Sequence, residues 1–365
     1  MLLWFIFYSG LITLAYSYPL LAIQKFIRNK ENEGKRTDNW DLYMCVFFIL
    51  VNYSAIMYLS YSMAYSVEPL RFFYLNFISI PMLILWGFIF VSSVISAKKP
   101  NLLVQKRKKA HWDELKIDIR RKVAHIVFYV LLWIGLYVYM AVVIQQPVDP
   151  EPYLVDMWEY NPNNPDALFK FLQLLEAPAR FEDIGYTHML MVLIFAIAHY
   201  CFIMFEVIRH SKTLWSPTNL LVRNVLREEE VNSFATYFQF FLSMTLSSII
   251  LPPLLTFAVV AVSLFGDLLA SQFGMRWGKY SLPLNKKKTW TGLFAGTIGS
   301  YLISSILVGP VYGFFASAIF FLTDFLTPKP IKISDNLLNP LLITIVFILL
   351  NVMGIPYDFP NFLIL

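Results

Sequence analysis

The chain has 365 residues, 58% of them hydrophobic and only 15% charged, with a mean hydropathy of +0.59. Soluble domains are nearer half apolar and a quarter charged, so this composition excludes an ordinary soluble globular protein. The net charge of +5 is modest and falls into loops on one side of a membrane. It argues for topology and anionic lipid, and against nucleic acid as a partner.

Apolar runs long enough to cross the hydrocarbon as helices, about 20 residues each, fall at 2–24, 43–65, 72–96, 123–146, 187–208, 233–251, 253–274, 291–308, 311–326 and 336–357. Nothing alternates with the period of a barrel strand. The expectation is an all-α, polytopic integral membrane protein with about ten transmembrane helices. At Pro252–Pro253 and Gly309–Pro310 a kink and a turn are equally readable. The loops that ten alternating spans place on one side are 25–42, 97–122, 209–232, 275–290 and 327–335, and they hold 26 of the 29 Lys and Arg. The other side holds Arg71, Lys170 and Arg180. The positive-inside rule puts the basic loops in the cytoplasm and both termini outside, in an endoplasmic reticulum or plasma membrane. The first run lacks a basic n-region and a small-residue cleavage site, and reads as a retained helix.

Three parts are expected along the chain. Residues 1–100 form a three-helix membrane module with no ionisable residue within its spans. Residues 101–122 are basic, with Trp112, Leu115 and Ile119 at helical spacing, the pattern of an amphipathic helix on the inner surface. Residues 123–357 form the domain that carries the chemistry, interrupted by a long extracytoplasmic loop, 147–186, with eight Asp or Glu. Cys45 and Cys201 lie within predicted spans and read as free thiols.

Polar residues inside spans are informative, because each costs about 2.5–3.5 kcal/mol at the bilayer centre. Asp267 is the clearest, in the run Phe265-Gly266-Asp267-Leu268-Leu269-Ala270-Ser271-Gln272-Phe273-Gly274. On a helix, Gly266, Ala270 and Gly274 make a groove of small residues, with Asp267 and Ser271 as a polar row beside it. Two readings follow. One is small-residue helix packing with the carboxylate paired to a neighbouring helix. The other is a carboxylate holding Mg²⁺ beside a phosphate, with glycines admitting it closely. What comes next favours the second: Arg276, Gly278 and Lys279, then Asn285-Lys286-Lys287-Lys288-Thr289-Trp290-Thr291-Gly292, with Gly296 and Gly299 beyond. Lysines before a glycine-rich helix start suit a phosphate cradle of side chains and backbone N–H groups.

The run Gly266-Asp267-x-x-Ala270-Ser271-x-x-Gly274-x-x-x-Gly278-Lys279, with Leu282-Pro283-x-Asn285-x-x-Lys288-Thr289-Trp290-x-Gly292, resembles the signature of the dolichol kinase/phytol kinase family. Three further matches stand in the same order: Arg121-Lys122-x-x-His125, Glu206-x-x-Arg209 and Asp335-Asn336-x-x-x-Pro340. The stretch Arg227-Glu228-Glu229-Glu230 has the family's look, and the resemblance covers roughly 120–350. It implies a CTP-dependent kinase of membrane isoprenoid alcohols with Mg²⁺ as cofactor, working on the cytoplasmic face. The related phosphatidate cytidylyltransferases share a Lys-Thr-Trp-x-Gly element, so making a CDP-activated lipid is the first alternative. A non-enzymatic transporter using Asp267 as an ion site is the second.

By the same resemblance Asp267, Lys288 and His125 are catalytic candidates, with Asp267 the metal ligand. Arg121, Lys122, Ser271, Gly274, Lys279, Asn285, Lys287, Thr289, Gly292, Asp335 and Asn336 are candidates for nucleotide binding, and Glu206, Arg209, Arg227 and Glu228 for supporting roles. The residues keep plainer readings beside these. Glu206 and Arg209, one turn apart, can pair with each other. Asp335 stands where a helix begins, so N-capping accounts for its side chain as well as a metal or nucleotide contact does. His125, one turn into a span, suits either a structural role or a prenol hydroxyl. His188 reads as interfacial, His199 as a helix–helix hydrogen-bonding group, and Asp324 as solvated at the membrane surface.

Overall fold

The computed structural model describes residues 6–22, 46–57 and 83–98 with gaps, then 114–144, 186–211, 214, 236–327 and 334–357. Regular structure among them is helical, apart from one bridge between Ser281 and Thr289. The helices that bear on the site are α1 (Glu114–Ile144), α2 (Tyr186–His210), α3 (Thr236–Ile250), α4 (Pro253–Trp277), α5 (Trp290–Val308), α6 (Pro310–Leu326) and α7 (Asp335–Val352). Among the described residues, four stretches are long and apolar enough for a complete crossing: Met191–Arg209 within α2, and all of α4, α5 and α7. Apolar side chains also stand outward in helical rows. Val123, Val127, Val130, Leu131 and Ile134 on α1, and Phe294, Ile298 and Leu302 on α5, are each between 46% and 59% exposed. Such continuous apolar stripes mark a lipid bilayer as the environment.

The helix boundaries settle points that the sequence leaves open. Helix α1 starts at Glu114 and continues through 122 into the fourth predicted run. Residues 114–122 are therefore its opening turns, continuous with that run; residues 101–113 lie outside the described set. No proline or glycine interrupts the chain from 114 until Gly135, so nothing breaks the ladder of backbone bonds. The two ambiguous breaks also resolve. Pro252 is extended (φ −52°, ψ 154°) and Pro253 opens α4, where a missing N–H costs nothing. Gly309 has φ 86° and caps α5, and the chain then folds back so that Gly313 of α6 packs directly on Ser305 of α5. This is a turn, at a backbone angle that only glycine adopts without strain.

The chain divides into two compact units, Met1–Asp118 with Leu193–Leu246, and Ile119–Val192 with Ser247–Leu365. The division follows packing more than chain order, since 193–246 joins the amino-terminal segments. In the first unit several buried polar groups find partners of the kind a membrane interior requires. Tyr200 donates to the Ala15 carbonyl at 2.9 Å and accepts from Trp86 Nε1 at 3.2 Å, while Asn52 donates to the Ala196 carbonyl at 3.3 Å. Tyr16 packs edge-on against Tyr53, with ring centroids 5.5 Å apart, and Phe202 stacks on Phe241 at 4.2 Å. Cys201 is a free thiol there. His199 is fully buried in the same unit.

The second unit is built on α4, whose first nine residues are all buried. Its small-residue row faces the glycines of α5. A Cβ on Gly296 would lie 2.8 Å from the Gly266 carbonyl oxygen and 2.8 Å from Ala270 Cβ; one on Gly292 would lie 2.5 Å from the Ala270 oxygen. The groove of Gly266, Ala270 and Gly274 is thus filled by another helix. With no hydrophobic drive between helices in lipid, such close backbone approach is what holds them together. His188, expected at the interface, is instead buried in this unit, with Nε2 2.7 Å from the Ser248 carbonyl oxygen. Gly296→Ala is expected to lower the thermal midpoint in detergent by an amount equivalent to about 1–3 kcal/mol. The control is Gly135→Ala, where an added Cβ meets nothing within 4 Å. It should be neutral or stabilising by up to about 1 kcal/mol.

Candidate active site

Asp267 owes its direction to an irregularity that no residue type announced. Residues Val262–Gly266 form one π-helical turn within α4, and the backbone stays in the αR region at both joints, Ala261 and Asp267. A π turn inserts one residue, which rotates everything after it by about 100° around the axis. Asp267 then meets Lys122 of α1 in an ion pair, the lysine side chain 7% exposed and the aspartate 35%. Ser271, one turn on, donates to the Leu268 carbonyl of its own helix at 3.0 Å.

The basic loop between α4 and α5 is a short hairpin. Trp290 donates its backbone N–H to Tyr280, and Leu282 to Lys288, on either side of the Ser281–Thr289 bridge. Asn285 fixes the tip. It is buried, its Nδ2 donates to the Thr327 carbonyl just past α6 at 2.8 Å, and its Oδ1 accepts from the Lys287 backbone N–H at 3.1 Å. The Asn285 carbonyl accepts from the Lys288 N–H at 3.0 Å, closing the turn. Lys288 is therefore aimed inward, while Lys279, Lys286 and Lys287 are exposed.

The ammonium of Lys288 lies 2.5 Å from Asp324 Oδ1 on α6 and 2.5 Å from Asp335 Oδ2 on α7. Burial works against its charged form, but the two carboxylates outweigh burial and hold Lys288 above its ordinary range. The stabilisation from this pairing is therefore fully present below the ordinary lysine value. It is lost only as pH rises through the raised one, so it is constant across the neutral range. Asp324 corrects the expectation of a solvated residue: it is 5% exposed. It sits among Phe320, Phe321, Leu322, Phe325 and Leu326, and Lys288 replaces the water it lacks. Asp335 is likewise not the N-cap. Ser334 holds that position, without a side-chain cap bond, and Asp335 is the first residue of α7. Its Oδ1 accepts from the Asn336 backbone N–H at 2.9 Å.

A small cavity collects these groups, lined by Ser263 and Asp267 of α4, Asp324 of α6, and Asp335, Asn336 and Asn339 of α7. Lys122 acts electrostatically on Asp324 and Asp335 as well as pairing with Asp267. Two lysines and three carboxylates thus form one network. Arg121, next to Lys122, is also buried. Among the described residues no group of three or more His, Cys, Asp or Glu could hold a metal ion. Of the three carboxylates in the network, Asp267 is the best exposed.

The proposed phosphate cradle at the start of α5 is built differently from the expectation. Thr289 is the N-cap, and its Oγ1 accepts from the Gly292 N–H at 3.2 Å, so a side chain already satisfies that donor. Gly274, Gly278 and Gly292 pack around the same threonine: a Cβ on Gly274 would lie 3.1 Å from its Oγ1, and one on Gly292 3.3 Å. These glycines bring helix ends together. His125 lies in α1, one turn after Lys122, with its side chain outside the described set. Glu206 and Arg209 pair with each other, Arg209 Nε donating to Glu206 Oε1 at 3.0 Å, and belong to the first unit. Arg227 and Glu228 lie outside the described residues, as does the acidic loop through residue 185. No protein-family model, curated protein or solved structure matches this chain.

Proposed function

We propose that this protein is a multi-pass membrane phosphotransferase of about ten spans. It transfers the terminal phosphate of CTP to a membrane isoprenoid alcohol on the cytoplasmic face, giving the prenyl monophosphate and CDP. The observation that carries the reading is the network in which Lys122 and Lys288 pair with Asp267, Asp324 and Asp335, three carboxylates that line one small cavity. Phosphoryl transfer asks a protein chiefly for positioning and neutralisation of charge, and paired lysines and carboxylates supply both. The resemblance to the dolichol and phytol kinases names the nucleotide and the class of acceptor.

In this reading Lys288 and Lys122, with Arg121 beside it, bind the triphosphate, and Asp267 with Asp335 faces the cation that accompanies it. Mg²⁺, when bound with the nucleotide, supplies neutralisation of the β- and γ-phosphates. The alcohol arrives laterally from the bilayer, its oxygen forms the new bond to the γ-phosphorus, and the bond from that phosphorus to the β–γ bridging oxygen breaks. The hydroxyl proton passes to a base, for which His125 and the cavity carboxylates are the candidates. Purified protein given γ-labelled CTP and a panel of prenols is expected to label the lipid, and α-labelled CTP is expected not to. Lipid label from the α position would instead assign a cytidylyltransferase, and label from neither would sink both enzyme readings.

A further inference from the structure

Lys288 is shared by two carboxylates at the same distance that differ in exposure and in how the backbone holds them. Asp324 and Asp335 each approach its ammonium to 2.5 Å, but the Asp324 side chain is 7% exposed and that of Asp335 is 30% exposed. A buried carboxylate has no water to turn to, so releasing its cation leaves an unpaired charge in a dry site. A half-exposed one exchanges a protein partner for water at small cost. The backbone repeats the asymmetry. Asn285, which closes the turn carrying Lys288, donates to Thr327, three residues beyond Asp324. Lys288 and Asp324 are therefore held by one clamp, to which Asp335 does not belong. Asp335 also keeps its bond from the Asn336 N–H whatever Lys288 does.

We propose that Asp324 is a positioning residue, the fixed anchor of Lys288, and that Asp335 is its displaceable partner: the phosphates of a nucleoside triphosphate bind by taking the place of Asp335 on the ammonium. This rests on the phosphotransferase reading and deepens it. It gives two chemically identical side chains different tasks, and it explains how a site for a polyanion is internally neutralised. An ammonium has three donors. One stays with Asp324 and keeps the lysine aimed, and the contact with Asp335 is the one exchanged. The freed Asp335 carboxylate then faces the cavity beside Asp267.

The test is equilibrium dialysis of full-length protein in detergent against CTP in EDTA, so that only phosphate recognition is read. Asp335→Asn removes the competitor and is expected to tighten CTP binding at least threefold. Asp324→Asn leaves Asp335 as the sole partner and is expected to weaken it at least threefold, with Asp324→Glu regaining part of the loss. Removing either negative charge by a purely long-range effect would tighten binding in both variants. Shifts of the same sign therefore overturn the proposal, as does weaker binding in Asp335→Asn. If Asp324→Asn cannot be purified folded, Asp324→Glu alone must still weaken binding. A thermal melt reads the anchor independently of any nucleotide: Asp324→Asn is expected to lose several degrees more than Asp335→Asn. Wild-type protein that binds no CTP in EDTA would overturn the exchange, no binding with Mg²⁺ present as well would overturn the phosphotransferase reading with it, and equal thermal losses would overturn the anchor.

Discussion

Asp267→Asn is expected to reduce phosphotransfer by at least a thousandfold while the protein remains folded. Asparagine keeps the size of the side chain and one acceptor, but removes the negative charge that a hard cation needs. Lys122 makes this a two-sided experiment. Its ammonium is almost buried and pairs with Asp267, so the neutral variant removes the counter-charge in contact with it. Removing the charged partner of a buried donor costs about 1–3 kcal/mol, an upper bound here because Asp267 is partly exposed. The double variant Asp267→Asn with Lys122→Met removes both charges and is expected to recover most of the stability and none of the activity. Recovery of both would make Asp267 a structural counter-ion only. Near-normal turnover of the single variant across a Mg²⁺ titration would remove it from the chemistry.

Much of this arrangement was legible in the sequence. An acid in an apolar run marked Asp267, the lysine run marked the loop facing it, and Gly266, Ala270 and Gly274 marked a groove. What filled the groove was not legible, because close approach by a phosphate and close approach by a helix ask for the same small residues. The α5 glycines decide it through their distances to α4. The π turn at Val262–Gly266 left no trace in residue type, and it sets the direction of Asp267. Asp324 was legible by the cost argument that found Asp267, since bulky apolar residues surround it. Its place near a helix end suggested water, and only the fold brings Lys288 to it. Asn285 reads as a nucleotide ligand from the resemblance. An asparagine opening a tight turn is equally a turn signal, and its bonds to Thr327 and Lys287 are of that kind.

The small-residue seam and the charged network are two parts of one construction. Close packing of α4 on α5 fixes where the loop 278–289 begins and ends, because Thr289 caps α5 against Gly274 and Gly278. The bridge from Ser281 to Thr289 and the Asn285 clamp then fix the loop's tip, which carries Lys288. A long flexible side chain is thereby delivered to two carboxylates on two other helices. In this arrangement the glycines of the motif set the loop that carries Lys288.

Lys288→Met is accordingly expected to damage both activity and stability. Methionine matches the length of the aliphatic stem and removes the charge, leaving Asp324 and Asp335 facing one another with nothing between them. Breaking a fully buried ion pair by removing one partner costs about 3–5 kcal/mol. With Lys288 26% exposed and Asp335 30% exposed, water screens part of this, and a loss of about 2–3 kcal/mol is expected in a thermal or chemical melt. Turnover should fall by about two to three orders of magnitude, the usual cost of losing one donor to developing charge in a transition state. The apparent requirement for CTP should rise more than that for the prenol. Lys286→Met, in the same loop but exposed, is the control for net charge and should change each quantity less than threefold. The decisive comparison is Lys288→Met with Asp324→Asn added. Removing one of the two facing carboxylates relieves their repulsion, so stability should return toward wild type while turnover stays low. If turnover returns with stability, the lysine serves the fold alone, and the phosphate must be held elsewhere.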